Sequence, residues 1–194
     1  MFHLRWPDDE RVRADLRAVE DAPCTTPHPG LTHTDGATAP PGFVLDDYAV
    51  ELGRGAPVFA SACRALRAFA NYPPSFTRVV RLEPTFEVGT VFGTVAAHYG
   101  FASMNPCRIT HVIDAPDAGR FGFVLGTLPG HGAVGEERFL VVRDPATDSV
   151  RYAVQAISRP ALWLARLGRP AMRRVQGRFR RESCATMQRW VRAD

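Results

Sequence analysis

Residues 126 to 139 read GTLPGHGAVGEERF and place His131, Glu136 and Glu137 in a run that also holds four glycines. These are groups that move protons. An imidazole titrates near neutral pH, and a carboxyl set in an apolar wall becomes a general acid or base. With RFGFVLGT on one strand and EERFLVV on the next, PGHGAVG is the hairpin loop between them. His131 then sits at a loop tip. Glu136 and Glu137 are neighbours on a strand and face opposite sides, so they cannot form a carboxylate pair on one face. One reading makes His131 and one glutamate a catalytic set at the mouth of a cavity. The plainer reading is a tight turn whose glutamates pair with Arg138, Arg159 or Arg108 and anchor strand ends. The sequence leaves both open; the candidate catalytic residues are His131, Glu136 and Glu137.

Other residues offer fixed contacts. Arg108 and Arg159 suit either a ligand carboxylate or phosphate or a salt bridge to Glu136 or Glu137. Ser158 and Pro160, in SRP, suit the cap and first turn of a helix. Cys107 faces opposite to Arg108 and reads as a small buried residue without a base. Cys24, His28 and His33 stand at C-x3-H-x4-H spacing, but no second cluster completes four-coordination. Neither a metal nor any other cofactor is expected: the chain has no phosphate loop, no GxGxxG after a strand and no HExxH.

The totals narrow the setting. A chain of 194 residues buries about 70% of its extended surface and needs no staple. Its four cysteines form no CxxC pair. The first residues are charged throughout, unlike a secretory signal, and no apolar run approaches the roughly 20 residues that cross a bilayer. A cytoplasmic protein with reduced thiols is expected. The net charge is +4 with no lysine; arginine used everywhere marks no single place.

These groups need elements to position them. Val12, Leu16 and Val19 suggest a short helix within the first 22 residues. A Pro, Thr and Gly-rich irregular segment follows, so residues 1–40 read as an N-terminal extension and 41–194 as the main domain. FVLDDYAVEL is a strand. Val58, Ala62, Leu66 and Phe69 form one face of a helix that ends before Asn71. TRVVRLEP, GTVFGTVAAHYG, CRITHVID, RFGFVLGT, EERFLVVRD and VRYAVQAIS are six short β-rich runs with brief turns, an antiparallel meander. Gly122 and Gly126 share one side of their strand and permit a sharp bend or a close approach. In the last segment Met172, Val175, Phe179, Met187 and Trp190 make a helical stripe, interrupted by Ser183. Gly168 and Pro170 should break or kink that helix.

A sheet must cover its apolar face, and seven strands curled around the terminal helix do so. The expectation is an α+β fold, a curved seven-stranded antiparallel sheet wrapped around a long C-terminal helix, with a cavity between them. Phe123, Thr127, Tyr152 and Phe179, with Arg108 and Arg159, are the candidate ligand-binding residues.

This order resembles the helix-grip fold of the birch-pollen-allergen, lipid-transfer (START) and polyketide-cyclase superfamily. At residue level GTLPGHGAVGEERF, AISRPALWLARLGRPAMRRVQGRF, DGAT (35 to 38), PPG (40 to 42), LGRGAPVF (52 to 59) and NPCRITHVID (105 to 114) resemble uncharacterised protein family 0548, from about residue 31 onward. The family's usual tryptophan after the first helix corresponds to Phe69. The resemblance implies the helix-grip fold and brings no established activity. The expected function is therefore binding of a small hydrophobic or amphipathic molecule in the cavity. The alternative is an enzyme of cyclase, isomerase or hydrolase type using the same cavity. Nucleic-acid binding through the arginine-rich last helix is disfavoured by the small net charge and the lack of aromatic stacking residues; an oligomer is compatible with the sequence.

Overall fold

Period-two runs separated by turns of a few residues leave each strand beside its predecessor, and the chain follows that rule from β3 onward. A computed structural model describes residues 1–3, 5–98, 100–161 and 169–194. The elements are β1 (Phe2–His3), α1 (Asp9–Arg17), β2 (Val44–Arg54), α2 (Ala56–Arg67), β3 (Thr77–Arg81), β4 (Val91–His98), β5 (Phe101–Ala115), a 3-10 turn (Pro116–Ala118), β6 (Arg120–Thr127), β7 (Ala133–Arg143), β8 (Ser149–Pro160) and α3 (Arg169–Ala193). All strand pairs are antiparallel, and the sheet runs β2-β8-β7-β6-β5-β4-β3, with the two-residue β1 added alongside β5. The fold is α+β, a curved seven-stranded antiparallel sheet with the long C-terminal helix against it. No helix among the described residues is long and apolar enough to cross a membrane.

The concave face carries the larger core. Phe92, Ile109, Phe121, Phe123, Phe139, Val141, Tyr152 and Val154 pack there with Phe59, Ala62 and Leu66 of α2 and Met187 of α3. Pro57 starts α2 and Gly55, at φ 94°, precedes it. Just past its end Phe69 has φ 55°, a left-handed position where glycine is usual. Its ring, against Phe86, Phe92 and Phe123 at 4.9–5.7 Å between centroids, holds it there. Ser183, the interruption in the helical stripe, is fully buried and its hydroxyl meets that of Tyr152 at 2.8 Å.

The convex face is covered too. Val12 and Leu16 of α1 pack on Val80, Val91, Val95 and Met104, and Gly93 gives them room, its missing Cβ lying 3.3–3.4 Å from both. Beyond α1, residues 20–36 cross the sheet as a strap. Arg108 donates to the carbonyls of Glu20 and Ala22, Thr25 bonds Thr127, and Asp35 pairs with Arg120 and Arg138 at 3.1 and 3.0 Å.

Two local expectations change. β5 continues through Pro106, paired with Gly93, where the small neighbour leaves space and the Pro106 carbonyl accepts the Leu128 N–H at 3.0 Å. Ser158 and Pro160 do not open a helix; they pair with Gly135 and Ala133 as the end of β8. The break expected at Gly168 falls outside the described residues, and Pro170 lies within α3.

The two sheet glycines answer to different neighbours. A Cβ on Gly126 would meet the Cys24 sulfur of the strap at 2.8 Å, and one on Gly122 would meet the Phe139 carbonyl oxygen at 2.1 Å. A strand backbone cannot yield as a side chain can. Gly122→Ala is expected to lower unfolding free energy by about 2–3 kcal/mol, measured by urea denaturation; an unchanged midpoint would contradict this packing.

Candidate functional site

The β6–β7 hairpin and the roof formed by α3 enclose a cavity of about 650 Å³. Its apolar walls include Tyr72, Phe76, Leu125, Ala156, Val175 and Phe179; its polar groups include Asn105, His131, Glu137, Ser158, Gln176 and Arg180. The position follows from the sequence of α3. Toward its C-terminal end, Ser183 and Met187 are fully buried in the core, whereas Val175, Gln176, Phe179 and Arg180 stand over a gap.

Alternation along β7 separates the two glutamates. Glu137 pairs with Leu125 and Ala156, both cavity residues. It makes no hydrogen bond or ion pair among the described residues. Burial pushes its carboxyl up to about 7, with Arg180 pulling down and Asp46 pushing up. The surface it retains opens on the cavity, sheltered from bulk water. Glu136 borders the cavity, but its carboxylate accepts from Gly30 N–H at 2.8 Å and from the Thr32 N–H and hydroxyl at 3.3 and 3.4 Å. It anchors the strap.

His131 also lines the cavity. Its Nδ1 accepts the Ala133 N–H at 2.9 Å, with the Ala133 carbonyl at 3.0 Å. An acceptor at Nδ1 places the neutral ring's proton on Nε2. Burial lowers its pKa to about 4, against the opposing pull of the Ala133 bond, so the ring is uncharged at neutral pH. Asn105 fixes this loop by accepting from Gly132 N–H at 3.3 Å. From Ala133 to Glu137 is about 13 Å of extended strand, so the imidazole and the carboxyl mark separate parts of the cavity.

Arg180 and Asp46 complete the polar end. Asp46, on β2, receives Arg173 through both oxygens at 2.6 and 2.9 Å and Arg180 at 3.1 Å. Arg180 also lies over the Tyr48 ring, 4.9 Å from its centre. Its Nε and the Tyr72 hydroxyl are buried without a partner among the described residues. Neither Asp46 nor Arg180 stands out in the linear chain. The spacing 176, 180, 183, 187 does place Arg180 on the buried face of α3, and of two adjacent aspartates on a strand one must face inward.

The other expected site residues divide. Thr127 and Phe179 line the cavity, the Thr127 hydroxyl being engaged by Thr25 and Gly135. Phe123 and Tyr152 are fully buried in the core beside it. Arg108 is spent on the strap, and Arg159 lies over the Phe43 ring at 5.2 Å; neither lines the cavity. Arg178 pairs with Glu182 at 2.6 Å and Arg189 with Thr186 at 2.8 Å, so several arginines of α3 are engaged within the chain. Cys24 lies on Gly126, His28 meets Phe43 edge-on, and His33 stacks on His111 at 4.7 Å. Among the described residues no group of three His, Cys, Asp or Glu is placed to hold a metal ion.

Residues 25–186 match the family model described as a domain of unknown function, DUF1990. A Deinococcus radiodurans protein described as a UPF0548 protein is 38% identical over 189 residues, 92% of each chain. A Dictyostelium discoideum protein of the same description is 32% identical over 154 residues, 75% of this chain and 71% of that one. Among solved structures, the Zhui aromatase/cyclase from a Streptomyces species is similar with a TM-score of 0.53 at 15% identity, covering 77% of this chain and 94% of that one. That likeness speaks to the fold alone.

A carboxyl whose folded pKa is raised from 4.5 to about 7 costs stability as it ionises. The folded state binds the proton more tightly between those values, so stability falls as pH rises through that window and is flat above it. Glu137→Gln is expected to be more stable than the parent above pH 7, by about 3 kcal/mol, with the gap closing toward pH 4.5. Urea titrations across pH read this; a gap independent of pH would contradict it.

Proposed function

The chain belongs to the DUF1990 family, and from that membership, its fold and its cavity we propose that it binds a small hydrophobic or amphipathic molecule between the sheet and α3. The observation that carries this is the cavity itself, about 650 Å³ with mostly apolar walls and a carboxyl, Glu137, that has no partner among the described residues. Small-molecule sites have this volume and this balance, an apolar lining with a few placed polar groups. The superfamily resemblance adds support, since the fold also carries an aromatase/cyclase.

One observation favours a second reading, catalysis in the same place. Glu137 is sheltered, faces the cavity and titrates near 7, the range in which a general acid or base works best. Glu136 is committed to the strap, and His131, in the loop before β7, is too far from Glu137 to relay a proton to it directly. Any turnover would therefore rest on Glu137, with a pH–rate inflection near 7 that disappears in Glu137→Gln.

The binding reading is tested with N-phenyl-1-naphthylamine, a neutral dye that brightens in apolar sites. Saturable enhancement at one site is expected. Ala156→Trp, which fills the cavity from β8, and Gln176→Trp, which fills it from α3, should each weaken the dye by at least about tenfold while retaining a cooperative melt. Dye binding that is absent, or unchanged in both variants, would overturn the proposal.

A further inference from the structure

We propose that the cavity takes a neutral ligand that presents a hydroxyl group to Glu137 and lays an aromatic or alkyl body against Tyr72, Phe76, Leu125 and Phe179. This rests on the binding reading above. The first argument is the acceptor. Glu137 faces the cavity with no donor among the described residues, and a sheltered carboxylate without a donor is costly. A ligand O–H supplies the charge-assisted bond it lacks.

The second argument is charge. Asp46 and Glu137 stand against Arg173 and Arg180, so the polar end is balanced before any ligand arrives. A ligand ammonium on Glu137 would add a positive charge near Arg180. A ligand carboxylate would meet Glu137 itself, and the Arg180 guanidinium is already held by Asp46 and Tyr48. Either head group would leave a sheltered charge uncompensated, which costs more than a hydrogen bond returns. A hydroxyl adds no charge and also brings an oxygen. The Tyr72 hydroxyl and Arg180 Nε, buried donors on cavity residues, have no acceptor among the described residues.

Four probes with one body separate these cases: butylbenzene, 4-butylbenzyl alcohol, 4-butylbenzylamine and 4-butylbenzoate, titrated calorimetrically into the full chain at a pH above the Glu137 midpoint. The alcohol is expected to bind tightest, about tenfold or more over the hydrocarbon. In Glu137→Leu its lead over the hydrocarbon should shrink below about threefold, the hydrocarbon keeping its affinity. Should the alcohol and hydrocarbon bind alike, or the amine or benzoate lead, the hydroxyl assignment falls while the cavity still binds apolar molecules. If none of the four binds, the binding reading falls with it. The wild-type series decides the matter even if the Leu variant does not fold.

Discussion

The buried carboxylate of Asp46 holds α3 to the edge of the sheet. It takes Arg173 and Arg180 together, and Arg180 is as deeply buried as Asp46 is. Such pairs owe their strength to geometry, because each ion has given up water. Two arginines two helical turns apart and one fixed acid define where the helix lies over β2. That placement decides how far its inner face stands from the strands beneath, and so whether the interior closes or stays hollow.

The helix does both. Near its C-terminal end Met187 and Ser183 meet the core, the Ser183 hydroxyl on Tyr152. One to two turns earlier Phe179 and Gln176 look into open volume. Facing them, β6, β7 and β8 present Leu125, Glu137 and Ala156 in one row across the sheet. The core and the cavity are thus continuous parts of one interior. The polar groups gather at the border, where Glu137 lies close enough to influence Tyr72, Cys107 and Tyr152.

Much of this was legible in the chain. Alternation located the six strands from β3 to β8, and spacing of three and four located α2 and, through Val175, Phe179 and Met187, part of the inner face of α3; Trp190, read on the same stripe, is exposed, and Arg180 and Ser183 are buried in its place. The choice between Glu136 and Glu137 also had a signal. The phase that sends Phe139 and Val141 inward carries Glu137 with them. What could not be read is the strap. Its ties run from Arg108 to Ala22, from Glu136 to Gly30 and from Arg138 to Asp35. These are polar contacts between residues distant in the chain, and no periodicity announces them. Arg108 therefore reads as a binding group and Glu136 as a catalytic one, since type and spacing do not reveal which side of a sheet another segment will occupy. The sequence likewise starts that strand only at Cys107, because the allowance for Pro106 comes from Gly93 on the neighbouring strand.

The two adjacent acids on β7 have a consequence for interpreting mutants. One faces the strap and the other the hollow, and they share a single peptide link. A survey replacing acidic residues one by one would find both positions sensitive, for unlike reasons: at the first a tether is cut, at the second a charge is withdrawn from the interior. Loss of binding at 136 would then record a strand pulled out of line, and only at 137 would it report on the guest itself.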